Sequence, residues 1–248
     1  MRSAWREHRR RRRAKRRARR PRGPTARHEP AELAAGGVLR ANDGIVSVAG
    51  LVVGVAAATR AASLIFAAGL AGLIAGAVSM ALGEYLSVST QRDTQRALLQ
   101  RQCQQLAEMP EAKLAELAAH YSAKGLSAQT ARTVAAELTK HDALTAHAEA
   151  ELGIDPDDLS NPWQAAMSSA ISFTIGALIP LIAILLPPAH LRLPVAFMSV
   201  LVALALTGTL SALLGGARKR RAVMRVVLGG AVAMLVTYGI GQLVGPSL

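Results

Sequence analysis

Asp43 opens the apolar and small-residue run 44–59. Glu84 lies near the end of another, 61–88, with Met80 one helical turn before it. No other acid occurs in the five long apolar stretches of this chain. A charge at bilayer depth costs about 2.5–3.5 kcal/mol on insertion scales, so such residues are rare and default to a function. Carboxylate oxygen suits hard cations, and a thioether beside it shifts preference toward softer first-row metals over Mg²⁺ and Ca²⁺. Asp43, Met80 and Glu84 therefore outline a path for a transition-metal cation. The competing reading of the two acids is interfacial snorkelling, because both lie near span ends, although a short acid snorkels less well than Lys or Arg.

Two helical stripes must position these groups. Gly72, Gly76, Met80 and Glu84 recur every fourth residue and share one face. Asp43, Ser47, Gly50 and Gly54, spaced four, three and four apart, form a second stripe of acid, hydroxyl and small residues. Facing each other, within one chain or across a dimer, the stripes would make a narrow polar seam. The plainer reading is that the glycines let helices approach closely and Met80 fills space, and for the glycines alone it is preferred.

The composition agrees with membrane helices. Hydrophobic residues make up 51% of the 248 but aromatics only 3%, so Ala, Val, Leu and Gly supply the bulk. That suits close helix packing in lipid better than a soluble core. Apolar spans at about 41–60, 63–89, 164–187, 193–215 and 222–245 each approach the ~20 residues that cross a bilayer. The expected fold is all-α: a polytopic membrane protein with five transmembrane helices plus a cytosolic three-helix domain. Its parts are a disordered Arg-rich cytosolic tail (1–30), an amphipathic approach with spans 1 and 2 (31–89), the cytosolic domain (90–163) and spans 3–5 (164–248). In 90–163, one helix should continue span 2 to about 108, a second should run from Pro110 to near Gly125, and a third from after Ser127 to Leu152-Gly153.

Charge sets the orientation. Residues 1–22 hold 13 of the 29 Lys and Arg, and Arg218-Lys219-Arg220-Arg221 separates spans 4 and 5. By the positive-inside rule both lie in the cytosol, and an odd number of spans then also puts 90–163 inside and the C-terminus outside. The pI of 11.2 thus describes a tail, not a domain. No cleavable signal peptide is expected, since the first apolar run starts about forty residues in and carries Asp43. Cys103 is the one cysteine, which rules out an intrachain disulfide. There is no phosphate loop, no nucleophile elbow and no CxxC, so the chain is read as a non-enzyme without a resident cofactor.

The segments RANDGIVS (40–47) and AGLIAGAVSMALGEYLSVSTQRD (71–93) resemble the vacuolar iron transporter family. Further matches are Glu116-Leu117, Tyr121, Gly125-Leu126-Ser127, Glu151-Leu152-Gly153, Asn161-Pro162 and Ser172-Phe173 with Gly176 and Ile179-Pro180-Leu181, so the likeness runs from about 28 to 245. It implies a homodimer of five-helix protomers that exports Fe²⁺, and also Mn²⁺, from the cytosol against inward protons. It implies an ion path between subunits lined by the acid at Asp43 and the methionine at Met80, and glutamates in the cytosolic domain that bind metal.

This chain departs from the family in that domain. Gln102, Gln105, Lys113 and Ala150 stand where the family has glutamates, leaving Glu116 and Glu151. A substitute set is available in three i,i+4 pairs: Glu116/His120, Glu137/His141 and His147/Glu151. Each puts an oxygen and an imidazole on one helical face, which suits Zn²⁺, Fe²⁺ or Mn²⁺. The favoured alternative is that such pairs are ordinary solvated-helix chemistry.

The tail is read as contacting anionic lipid, each base near the surface contributing about 1 kcal/mol. Specific nucleic-acid binding is not expected, because only Trp5 interleaves the arginines. The expected function is a multi-pass metal transporter, with an Ala- and Arg-rich composition that fits a bacterial plasma membrane. The alternative is a non-transporting membrane scaffold or metal-responsive binding protein that keeps the fold.

Overall fold

The computed structural model describes residues 29–245, with side chains from 36 onward; the Arg-rich tail lies outside the described residues. Among the described residues seven α-helices follow in order: α1 (Glu29–Ala58), α2 (Ala62–Glu108), α3 (Pro110–Ala123), α4 (Ala128–His147), α5 (Pro162–Leu185), α6 (Arg192–Leu214) and α7 (Lys219–Val244). A π-helical turn, Ala148–Leu152, extends α4. No strand occurs among the described residues. Among the described residues five helices are long and apolar enough to cross a membrane: Gly36–Ala58 within α1, then α2, α5, α6 and α7. The approach 31–40 and span 1 form one continuous helix.

Local signals place the helix ends. Pro110 opens α3, where its missing N–H costs nothing. Ser127 caps α4 by accepting a hydrogen bond from the Thr130 N–H at 3.3 Å. Gly153 closes the π turn at φ +64°, a left-handed position that glycine takes without strain.

The chain divides into two compact units. One is Leu86–Pro162; among the described residues, 29–85 and 163–245 form the other. In the membrane unit α1 is central. Its Val48 and Val52 pack with Ile65, Leu73, Phe173, Ala177 and Leu181 on one side. Its Ile45, Ala49 and Val53 pack with Val200, Leu204 and Met234 on the other. Lipid is as apolar as these side chains, so close packing rather than the hydrophobic effect holds them. Glycine makes that packing feasible where backbones touch. A Cβ on Gly44 would strike the Phe173 carbonyl, and one on Gly176 would strike the Ala41 carbonyl, so α1 and α5 cross in backbone contact.

The spans alternate as five crossings require. Val46, Gly54 and Ala58 of α1 meet Gly230, Gly241 and Gly245 in turn, so α1 and α7 run parallel. Thr207, near the end of α6, donates to Asn42 Oδ1 near the start of span 1 at 3.1 Å, so α6 runs antiparallel to α1. Arg192 donates to the Arg60 carbonyl at 3.0 Å, joining the start of α6 to the α1–α2 turn.

The Leu86–Pro162 unit has two small cores. Leu99, Ala148 and Ile154 form one, and Leu117, Ala118 and Ala135 the other. Lys113 and His147 are buried here, at 5% and 0% exposure. A buried lysine demands partners.

Candidate functional site

Asp43 and Met80 line the same cleft, a space of about 300 Å³ whose other walls are Ser47, Val48, Leu51, Gly72, Gly76, Ser79 and Phe173. α1 supplies the carboxylate and a hydroxyl, α2 the thioether and a second hydroxyl, and α5 the Phe173 ring behind them. The α1–α5 backbone contact fixes Asp43, because Ala41 and Gly44 on either side of it are the contact points. Gly76 is required as glycine: a Cβ there would enter the Phe173 ring. The Ser47 hydroxyl donates to the Asp43 carbonyl. Ser169, fully buried, donates to the Met80 carbonyl at 3.5 Å. Asp43, Ser47 and Ser79 are exposed and Met80 half-buried, so the cleft opens away from the helix bundle.

The two stripes meet only in part. Asp43, Ser47 and Leu51 follow one i,i+4 row onto the cleft, a row that drifts by about 40° per step around a 3.6-residue helix. Gly50 and Gly54 fall on the other side of that row and pack against Thr237 of α7. Gly72 faces Leu51 and Gly76 faces Phe173.

Glu84 does not line the cleft. One turn beyond Met80, its Oε1 accepts from Arg40 Nη2 at 2.6 Å, an ion pair joining α1 to α2. Its charge is balanced by a guanidinium at the same depth. Arg40 had no assigned role in the sequence reading; its signal was a base three residues before Asp43 at the head of the RANDGIVS segment. The rings of Tyr85 and Trp163 pack beside this region with centroids 4.9 Å apart.

The substitute metal set does not assemble. Among the described residues no group of three or more His, Cys, Asp and Glu side chains is placed to hold a metal ion. A lysine takes the central place instead. Lys113 Nζ donates to Glu116 Oε2 at 2.5 Å and to Glu151 Oε2 at 2.7 Å. Gln102 Nε2 donates to the same Glu151 oxygen at 2.9 Å, and His147 Nδ1 lies 2.6 Å from the other. Of the three Glu/His pairs only His147/Glu151 is in contact, and its carboxylate is filled. The His120 ring packs edge-on to Tyr121, and its Nε2 is buried without a partner. Glu137 and His141 are exposed, and α4 kinks immediately afterwards at Asp142 (φ −161°, ψ 90°).

Electrostatics in this network follow the contacts. Burial works to lower the Lys113 pKa, but the hydrogen bonds and charges of Glu116 and Glu151 prevail and hold it above its ordinary 10.5. Burial works to raise Glu151, but donors from Lys113, His147 and Gln102 outweigh it and hold the carboxyl below 4.5. Both groups are thus charged at neutral pH. Burial, aided by the negative charge of Asp142, pushes the Cys103 thiol up, so it stays protonated at neutral pH.

Comparison with known proteins agrees with this architecture. The profile of the VIT family matches residues 35–242, all five spans and the unit between them. The chain is 39% identical over 208 residues to the vacuolar iron transporter of Acanthamoeba castellanii, covering 84% of this chain and 77% of that protein. It is 36% identical over 209 residues to vacuolar iron transporter homolog 1 of Oryza sativa subsp. japonica, covering 84% and 72%. It is 32% identical over 209 residues to vacuolar iron transporter homolog 2.1 of Arabidopsis thaliana, covering 84% and 80%. These relatives are named as transporters, not enzymes. With a matched profile over most of its length, five membrane-spanning helices and the Asp43–Met80 cleft between the first two, the chain is a multi-pass membrane protein of the VIT family.

Proposed function

We propose that this protein is a membrane transporter that carries Fe²⁺ or Mn²⁺ out of the cytosol in exchange for protons, and that the ion passes the cleft holding Asp43 and Met80. The observation that carries this reading is that a carboxylate and a thioether 37 residues apart in sequence line one cleft, with the hydroxyls of Ser47 and Ser79 beside them. Oxygen and sulfur ligands together favour first-row transition metals over Mg²⁺. Zn²⁺ is compatible with the same ligands. A carboxylate that holds either a proton or a cation couples the two fluxes by competition.

The cleft is open, and an exposed acid facing lipid is costly. A second copy of the chain placed against α1 and α2 would close it and supply a second Asp43 and Met80. A homodimer with the path at its interface is therefore part of the proposal. Topology follows from charge: the tail and Arg218–Arg221 face the cytosol, as does the 90–163 region between spans 2 and 3.

The Lys113 network favours one element of a different reading, a protein that keeps the fold without transporting, because Glu116 and Glu151 are occupied by an internal cation. Uptake of Fe²⁺ into proteoliposomes with an imposed pH gradient separates the two. Transport predicts gradient-driven, saturable uptake; a non-transporting scaffold gives none.

A further inference from the structure

A second groove lies on the membrane unit away from the Asp43 cleft. It is formed by Leu201, Val202 and Ala205 of α6 with Val223, Met224, Val227 and Leu228 of α7, and encloses about 400 Å³. Its walls are wholly apolar. Its end is not: residues 218–225 hold Arg218, Lys219, Arg220, Arg221 and Arg225, without an acid. All five bases are exposed, and none has an ion-pair partner among the described residues.

The register of α7 joins the two features. Arg221, Met224, Arg225 and Leu228 are spaced three, one and three apart, so they share one helical face. Val223, Met224, Val227 and Leu228 line the groove, and Arg221 and Arg225 flank that lining on the adjoining face of α7, beside Leu228. Arg225 lies six residues inside α7, about 9 Å along the helix from Lys219 at 1.5 Å per residue. At that depth a guanidinium gains from an anion at the membrane surface.

We propose that the α6–α7 groove holds an acyl chain of an anionic phospholipid whose headgroup phosphate is bound by Arg221 and Arg225. Charge complementarity selects the occupant: an apolar slot continues into an unpaired basic pair, which is the shape and polarity of a single lipid and its headgroup. A second copy of this chain is a poorer occupant. A two-fold contact through this face would set each basic end near its own equivalent, where like charges repel.

The test is photo-crosslinking of the full-length protein in phosphatidylcholine vesicles. One sample carries a trace of phosphatidylglycerol with a diazirine in its acyl chain; the control carries the same probe on phosphatidylcholine. Peptide mapping should place phosphatidylglycerol adducts on the groove segments 201–205 and 223–228, about thirtyfold above the phosphatidylcholine probe, the two bases each contributing roughly 1 kcal/mol. Arg221→Gln/Arg225→Gln should reduce that excess to near unity without changing phosphatidylcholine labelling. Ala205→Trp, which fills the groove and keeps every charge, should lower adducts of both probes on these segments. Mapping by segment separates this site from lipid held by the N-terminal arginines. Equal labelling by the two probes in the wild-type protein would overturn the proposal, and so would a phosphatidylglycerol excess that survives both variants. Protein–protein adducts on 201–205 and 223–228 in place of lipid adducts would assign the groove to a second copy and overturn it as well.

Discussion

Arg40 and Glu84 face each other across 2.6 Å, tying span 1 to span 2 one helical turn from Met80. Each charge would be costly at this depth alone, and together they neutralise one another. The pair leaves Asp43 as the acid of the cleft and holds the two helices that form it in register.

Removing one member of the pair should harm the protein more than removing both. Arg40→Ala strands the Glu84 carboxylate, and Glu84→Ala strands the guanidinium. A double-mutant cycle on unfolding in detergent micelles should show a coupling of about 1–3 kcal/mol, with the double variant more stable than the sum of the singles. Strict additivity would mean that the contact contributes nothing to joining α1 and α2.

Met80→Leu should alter metal selectivity with little loss of stability. Leu is close in volume, and such swaps usually cost under about 1.5 kcal/mol. Only the sulfur is lost. Competition between Fe²⁺ and Mg²⁺ in a liposome flux assay should shift toward Mg²⁺. An unchanged ratio would show that Met80 only fills space against the core that holds Phe173.

Lys113→Ala should loosen the Leu86–Pro162 unit by roughly 3 kcal/mol, since it leaves the Glu151 carboxylate half-buried without its cation. Hydrogen exchange on the full-length protein reads this as faster exchange in α3 and the π turn. The pH dependence follows from the two shifts. Glu151 is depressed, so its contribution is complete above its ordinary 4.5 and is lost as pH falls through its lower folded value. Lys113 is raised, so its contribution is complete below 10.5 and is lost as pH climbs through its higher folded value. Protection in this unit should therefore be flat between about pH 5 and pH 10 and fall on either side, without added metal. Protection that depends on Fe²⁺ at neutral pH would contradict the role given to Lys113.

Gly176→Val should disrupt the membrane unit. Its side chain would meet the Ala41 carbonyl, backbone that has no freedom to move aside. Overpacking of this kind costs about 1–3 kcal/mol or more, and here it displaces Asp43 two residues away. Reduced thermal stability together with lost flux is expected. Normal values of both would show that α1 and α5 do not cross at this point.

Spans, caps and the three helices between spans 2 and 3 were legible because each rests on local chemistry: apolar length, Pro110 at a helix start, Ser127 as a cap, Gly153 at positive φ. Asp43 and Met80 were legible as anomalies of type within apolar sequence. The partners of Glu84 and Glu151 were not. Arg40 lies 44 residues from Glu84, and Lys113 lies 38 from Glu151, so no periodicity links them. Lys113 was read as the loss of a carboxylate site. Folded, it is the cation of that site, carried on the chain itself. The Glu/His pairs looked equivalent in sequence because i,i+4 spacing describes one helix at a time; the kink at Asp142 and the contacts of Glu151 are tertiary.

The central claim is that a transition-metal ion passes Asp43. Fe²⁺ flux through the Asp43→Ala protein, reconstituted in liposomes under a pH gradient and checked for normal helix content and insertion, tests it most directly. Asp43 is exposed in the cleft and its side chain makes no hydrogen bond among the described residues, so its removal should leave the fold intact. The expected result is loss of gradient-driven uptake. Uptake at the wild-type rate from a correctly folded Asp43→Ala protein would contradict the account.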